Sequence, residues 1–123
     1  MAAIFEFNER DKLATINIRG VLTREDLDNV QSQCEQKIQQ VGKIDILVIV
    51  VDFSGWHKED GWEDLSFAER NDAHLGKIAI VGDLKWKDLV YAFTVKGLRP
   101  VDIEYFSNQQ EIQARSWLGG LDL

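Results

Sequence analysis

The chain is poor in several things that mark whole functional classes. One cysteine in 123 residues excludes an intrachain disulfide and suits a reducing compartment. One proline and nine scattered glycines leave no linker, low-complexity tract or long-period repeat, so the length reads as one domain spanning residues 1–123. No apolar run approaches the roughly 18–20 residues of a membrane span, and the opening MAAIFEFNERDK lacks the basic start and apolar core of a secretory signal. Basic side chains are also scarce. Fourteen Lys and Arg face 21 Asp and Glu, a formal net charge of −7, which argues against nucleic acid and anionic membranes as partners because their phosphates attract Lys and Arg clusters. The expectation is a soluble, cytoplasmic protein with no integral membrane segment.

What is present is strongly patterned. IFEFNE and LATINIRG alternate apolar and polar residues, the period of strands with one face in a core, and a hairpin turn is expected around Glu9 to Lys12. TREDLDNVQSQCEQKIQQVG offers Thr23 as N-cap, Asp26 three residues on, and Gly42 as a stop. Leu27, Val30, Cys34, Ile38 and Val41 recur at helical spacing on one face, which reads Cys34 as a small core residue rather than a nucleophile. The run Ile46 to Val51 is unbroken by polar residues and rich in β-branched side chains, as a central strand covered on both faces requires.

Further along, Trp62 to Asn71 reads as a helix, KIAIVGD as a second buried strand, and LKWKDLVYAFTVKG as a helix with Trp86, Leu89, Val90 and Phe93 on one face. Arg99-Pro100 breaks the chain before a third strand, VDIEYF. Ser107 or Asn108 caps a last helix whose Ala114, Trp117, Leu118 and Leu121 share a face. Strands alternating with helices imply parallel pairing with helices on the faces of the sheet. The expected fold class is α/β: about five strands, mostly parallel, with an N-terminal hairpin and about four helices.

This order of elements, with VVDFSGW after the central strand, WEDLSF opening the next helix and KIAIVGDLKW after it, resembles the SpoIIAA-like branch of the STAS domains across nearly the whole chain. The resemblance implies a single α/β domain of bacterial origin, kinship with anti-sigma-factor antagonists and with lipid-carrying CRAL-TRIO domains, and no established enzymatic activity. In the antagonists a Ser or Thr at a helix N-terminus accepts phosphate; here Asp60 and Gly61 occupy the matching positions, so the phosphoacceptor is missing. Ser54, the nearby hydroxyl, reads as a turn residue.

An enzyme is the third choice. His57-x-Glu59 and Asp72-x-His74 hold metal-competent side chains, but no HExxH, CxxC or facial-triad spacing occurs. The charges more simply solvate a loop and a helix start, and the pattern calls for no catalytic residue, metal or cofactor. VGDLKW lacks the composition of a phosphate loop, and Asp83 reads as a helix cap. The unexplained feature is aromatic: Phe53, Trp56, Trp62, Phe67, Trp86 and Phe93 all fall near the second and third crossover helices. Each buries about 150–250 Å² when covered, so they either complete the core or line a crevice. In open α/β sheets that crevice lies beyond the carboxyl ends of the parallel strands, here Asp52-Phe53, Val81-Gly82-Asp83 and Phe106-Ser107.

The first functional reading is a non-catalytic module that binds a small apolar or lipid-like ligand through Phe53, Trp56, Trp62, Trp86 and Phe93, with Gly82 and Asp83 at the rim and helix N-terminal N–H groups for a polar head. The second is a protein-interaction or homodimerisation face using the same aromatics as anchors. Opposite charge on residues 59–72, with six carboxylates and one Arg, and on residues 85–99, with four basic groups and Asp88, predicts attraction within a monomer or across a two-fold contact.

Overall fold

A computed structural model describes residues 2–119; Leu121, expected on the face of the last helix, lies outside them. The strands are β1 (Ala3–Asn8), β2 (Leu13–Leu22), β3 (Ile44–Trp56), β4 (Leu75–Val81) and β5 (Asp102–Phe106), and the helices α1 (Arg24–Val41), α2 (Ser66–Asn71), α3 (Lys87–Thr94) and α4 (Glu111–Gly119). The sheet order is β1-β2-β3-β4-β5. Only β1 and β2 are antiparallel, and β2 through β5 run parallel. The expected architecture is what forms, with β3 in the middle.

Local chemistry explains most boundaries. Thr23 Oγ1 accepts the Asp26 N–H at 3.1 Å, and Asp26 Oδ2 accepts from the Thr23 backbone at 3.3 Å, a reciprocal box that closes the start of α1. Gly42 ends it in a conformation with φ 84°, its N–H donating to the Ile38 carbonyl at 2.8 Å. Val30, Cys34 and Ile38 are buried from α1, against Ala14, Ile16, Ile46, Val50, Ile78, Ile80, Ile103 and Tyr105 of the sheet. Phe67 of α2 joins them, and Val90 and Tyr91 of α3 pack at the margin. On the opposite face, among the described residues, α4 alone packs down, through Ala114 and Leu118 against Leu47, Ala79 and Val81, with Trp117 beside them.

Four expectations need correction. Because α4 covers only part of its face, Val51 is left exposed at the end of the supposedly two-sided run. The segment from Trp62 is not helical until Ser66: Gly61 turns the chain at φ 98°, and Asp64 Oδ1 accepts the Ser66 N–H at 2.9 Å, which starts α2 four residues late. Leu89 stands 54% exposed, because the chain from Leu84 to Trp86 is a 3-10 turn whose tighter winding shifts the phase of α3. Ser54 is not in a turn, since β3 runs on to Trp56.

Candidate functional site

The extension of β3 builds the site. In a regular strand, residues three apart point to opposite faces. Along β2, Ile18, Gly20 and Leu22 pair with Val50, Phe53 and Trp56, so an even spacing on one strand meets a spacing of three on the other. Two register shifts at Gly20 absorb the extra residues, with Asp52 at φ 51° and Gly55 at φ 102°. These bulges aim Val50, Phe53 and Trp56 at the same side of the sheet, where all three meet the main core. A Cβ on Gly55 would stand 3.5 Å from the Trp86 ring, an ordinary contact, so it is the backbone at φ 102° that calls for glycine there.

The five expected aromatics come together as one continuous group. Phe53 packs edge-on against Trp56 and Trp86 at centroid distances of 5.1 and 4.9 Å. Trp56 lies 6.0 Å from Trp86 and 5.3 Å from Phe93, and Trp62 lies 5.9 Å from Phe93. Together with Ile18, Leu22, Val48, Ile80 and Val90 they wall a partly open cavity of about 190 Å³ between the sheet and α1, α2 and α3. The loop after β3 closes over it, held by Trp62 Nε1–H donating to the His57 carbonyl at 2.9 Å and by Glu59 accepting the Arg24 N–H at 3.1 Å. The Arg24 guanidinium sits 5.6 Å from the Trp62 ring centre, a cation–π contact that fixes the ring from outside.

Five of the polar side chains on the wall, Trp62, Asp64, Thr94, Arg99 and Tyr105, are engaged in hydrogen bonds. Arg99 grips Asp72 through 2.6 and 2.9 Å hydrogen bonds and also donates to the Thr94 carbonyl. This pair joins the two oppositely charged segments within one chain. Tyr105 Oη donates to the Asp83 carbonyl at 2.6 Å; burial, helped by the Asp83 charge, pushes its pKa up to about 12. Burial likewise pushes the Cys34 thiol up to about 12, so neither wall group is ionised at neutral pH. One fully buried nitrogen is left over. Trp56 Nε1 is buried and has no hydrogen-bond acceptor, alone among the described side chains, a condition that costs about 1–3 kcal/mol.

Gly82 and Asp83 do not join the cavity wall. Gly82 is buried, its N–H donates to the Phe106 carbonyl at 2.9 Å, and a Cβ there would fall 2.6 Å from Tyr105 Oη, so the glycine serves packing. The Asp83 carboxylate accepts the Lys85 N–H at 2.9 Å, the capping role expected of it. Asp64 Oδ1 likewise accepts the Ser66 N–H, so one N–H near each of these helix starts is already engaged by a carboxylate. Nor do the histidines gather: His57 Nδ1 stands 3.1 Å from Glu59, Asp72 is taken by Arg99, and His74 is exposed. Among the described residues no three His, Cys, Asp or Glu side chains converge on a metal-sized site, and no helix is long and apolar enough to cross a membrane.

Four parallel strands with one antiparallel edge strand, one helix on one face and three on the other define an α/β sandwich. A family model described as SpoIIAA-like matches residues 13–119. The chain belongs to the SpoIIAA-like family. Among solved structures it is similar to an uncharacterised protein of the DUF3478 family with a SpoIIAA-like fold from Shewanella loihica PV-4, at 20% identity and a TM-score of 0.69, over 95% of this chain and 92% of that one. No curated protein matches the chain.

Proposed function

We propose that this domain is a non-catalytic binding module that holds a compact apolar molecule in the aromatic-walled cavity. One observation carries the reading: about 190 Å³ of space is walled mainly by apolar side chains inside the main core, where proteins normally pack to crystal density. An apolar cavity of about 150 Å³ stays dry and takes up benzene, so this one suits a ring with a short substituent better than an enclosed two-chain lipid. The wall groups that could act as nucleophile or base are held protonated or hydrogen-bonded, which supports binding without catalysis. The proposed contacts are Phe53, Trp56, Trp62, Trp86 and Phe93; the module needs no cofactor.

The second reading, a protein partner or a second copy of the chain, draws on a different feature. Leu84, Leu89 and Leu98 are exposed around α3, with Leu98 at 85%. Native mass spectrometry of freshly purified protein, with solvent extraction of any adduct, separates the two. A small apolar adduct near one per chain supports the first reading. A ligand-free dimer that Leu89→Glu dissociates while Trp86→Phe does not supports the second and overturns the first.

A further inference from the structure

Building on the cavity-binding reading above, we infer that the ligand carries an uncharged end that both donates and accepts hydrogen bonds, a primary amide or a hydroxyl, and that this end meets the Gln31 amide. From α1, Leu27, Val30, Gln31 and Cys34 line the cavity. Leu27, Val30 and Cys34 are what a core-facing stripe requires; Gln31, one turn after Leu27 and one before Cys34, breaks the stripe with a polar side chain. A leucine there would complete the apolar wall, and a departure from a chain's own pattern is commonest where function demands it. Gln31 also lines a polar cleft between α1 and α2, and Asp64 and Phe67 border both spaces with it. The half-buried amide thus stands at the edge of the cavity, where a ligand with an apolar body would present its polar end. Neither of its polar atoms is sealed, and neither is bonded to a described residue, so no internal bond must break for it to engage a ligand.

The rest of the wall offers no equal. Asp64 accepts the Ser66 N–H and stands 3.8 Å from the Arg24 guanidinium. Trp62, Thr94, Arg99 and Tyr105 hydrogen-bond to protein groups, and the Trp56 nitrogen is sealed. The Trp86 N–H has no acceptor among the described residues, but it can only donate. Gln31 supplies an open acceptor and open donors together, and a primary amide or a hydroxyl is the kind of group that uses both. Charge in the cleft decides against ions. Arg24 and Arg70 line it with Asp28, Glu35 and Asp64, and Asp28 and Glu35 hold the two arginines at 2.8 and 3.0 Å, so no cation is left for a carboxylate ligand. A cationic end would meet the Asp64 carboxylate, already shared between Ser66 and Arg24, which is too little to offset its desolvation. The ligand class is thus a small aryl or cyclic amide or alcohol rather than a hydrocarbon, an acid or an amine.

Four probes of similar shape and equal non-hydrogen atom count test this: benzamide, isopropylbenzene, benzoate and benzamidinium. They are titrated by NMR into the full chain and into Gln31→Met, which keeps side-chain length and helix propensity. The affinity ratio of benzamide to isopropylbenzene is expected to fall about five- to tenfold in Gln31→Met, the worth of one hydrogen bond, and both ions are expected to bind the native chain more weakly than benzamide. If isopropylbenzene binds but the ratio is the same in both proteins, solvent alone satisfies Gln31, and this inference fails while the apolar reading stands. Benzoate or benzamidinium binding as tightly as benzamide also overturns it. If none of the four binds, the cavity reading fails as well. Should Gln31→Met not fold, the native protein decides: benzamide and not isopropylbenzene must shift the Gln31 side-chain amide protons downfield, and its failure to do so refutes the assignment.

Discussion

Filling the cavity from α2 tests whether the space exists in solution. Ala68 lies on α2, lines the cavity and is half-buried. Ala68→Leu introduces three carbons, worth about 0.8 kcal/mol each on burial, and ordering the longer side chain returns about 0.5–1 kcal/mol. The net expectation is a stabilisation of about 1–2 kcal/mol. The control is Ala79→Leu in the layer under α4, where Ala79 is 0% exposed and packed among Leu47, Val81, Ala114 and Leu118. Overpacking a full site costs about 1–3 kcal/mol. In urea, with a slope of about 1–3 kcal/mol per molar, the two variants should move the unfolding midpoint in opposite directions by on the order of 1 M. Ala68→Leu should also abolish binding of a small apolar probe such as isopropylbenzene. If its midpoint falls together with that of Ala79→Leu, side chains already fill the space and the argument from cavity to ligand is refuted.

Cys34 should be inert to a disulfide reagent at pH 8 in the folded protein and react fully in denaturant, because burial holds its pKa near 12; fast native labelling would mean that α1 does not stay docked. Asn71 and Arg70 hydrogen-bond the Glu35 carboxylate and hold its pKa below the ordinary value, and the Ser66 N–H does the same for Asp64. Since both folded values are depressed, their stabilisation is present above the unfolded carboxylate pKa and is lost as pH falls through the folded one. The melting temperature should therefore drop below about pH 4, with a smaller drop in Glu35→Gln; equal drops would exclude Glu35 as a cause. Arg99→Met leaves the Asp72 carboxylate without its partner at 15% and 13% side-chain exposure. It should cost roughly 1–3 kcal/mol by urea titration, less than the 3–5 of a fully buried pair, and an unchanged midpoint would show the pair to be solvent-loosened.

Much of this was legible because it rests on short-range rules. Alternation in β2, the Thr23–Asp26 box and Gly42 around α1, and the apolar runs of β3 and β4 each encode their element within a few residues. The clustering of Phe53, Trp56, Trp62, Trp86 and Phe93 was also foreseeable, because parallel strands deliver their carboxyl ends to one edge. The start of α2 was misread because Trp62, Glu63 and Asp64 suit a first helical turn, while the turn at Gly61 and the Asp64 cap exclude them from it. Gly82 and Asp83 were misplaced because strand-end position says nothing about which atoms Tyr105 and Lys85 have already engaged.

Composition and periodicity by themselves determined an acidic α/β domain with a hairpin at its start, the long first helix and the central strand, since those depend on local propensity and on burying one face. Three-dimensional packing decided the site. The two bulges that turn Phe53 and Trp56 to the same side exist only through pairing with β2 around Gly20. The empty space arises because α1, α2 and α3 meet the sheet without filling it. The solitary indole donor follows from where neighbouring carbonyls point, and that depends on residues distant in the chain.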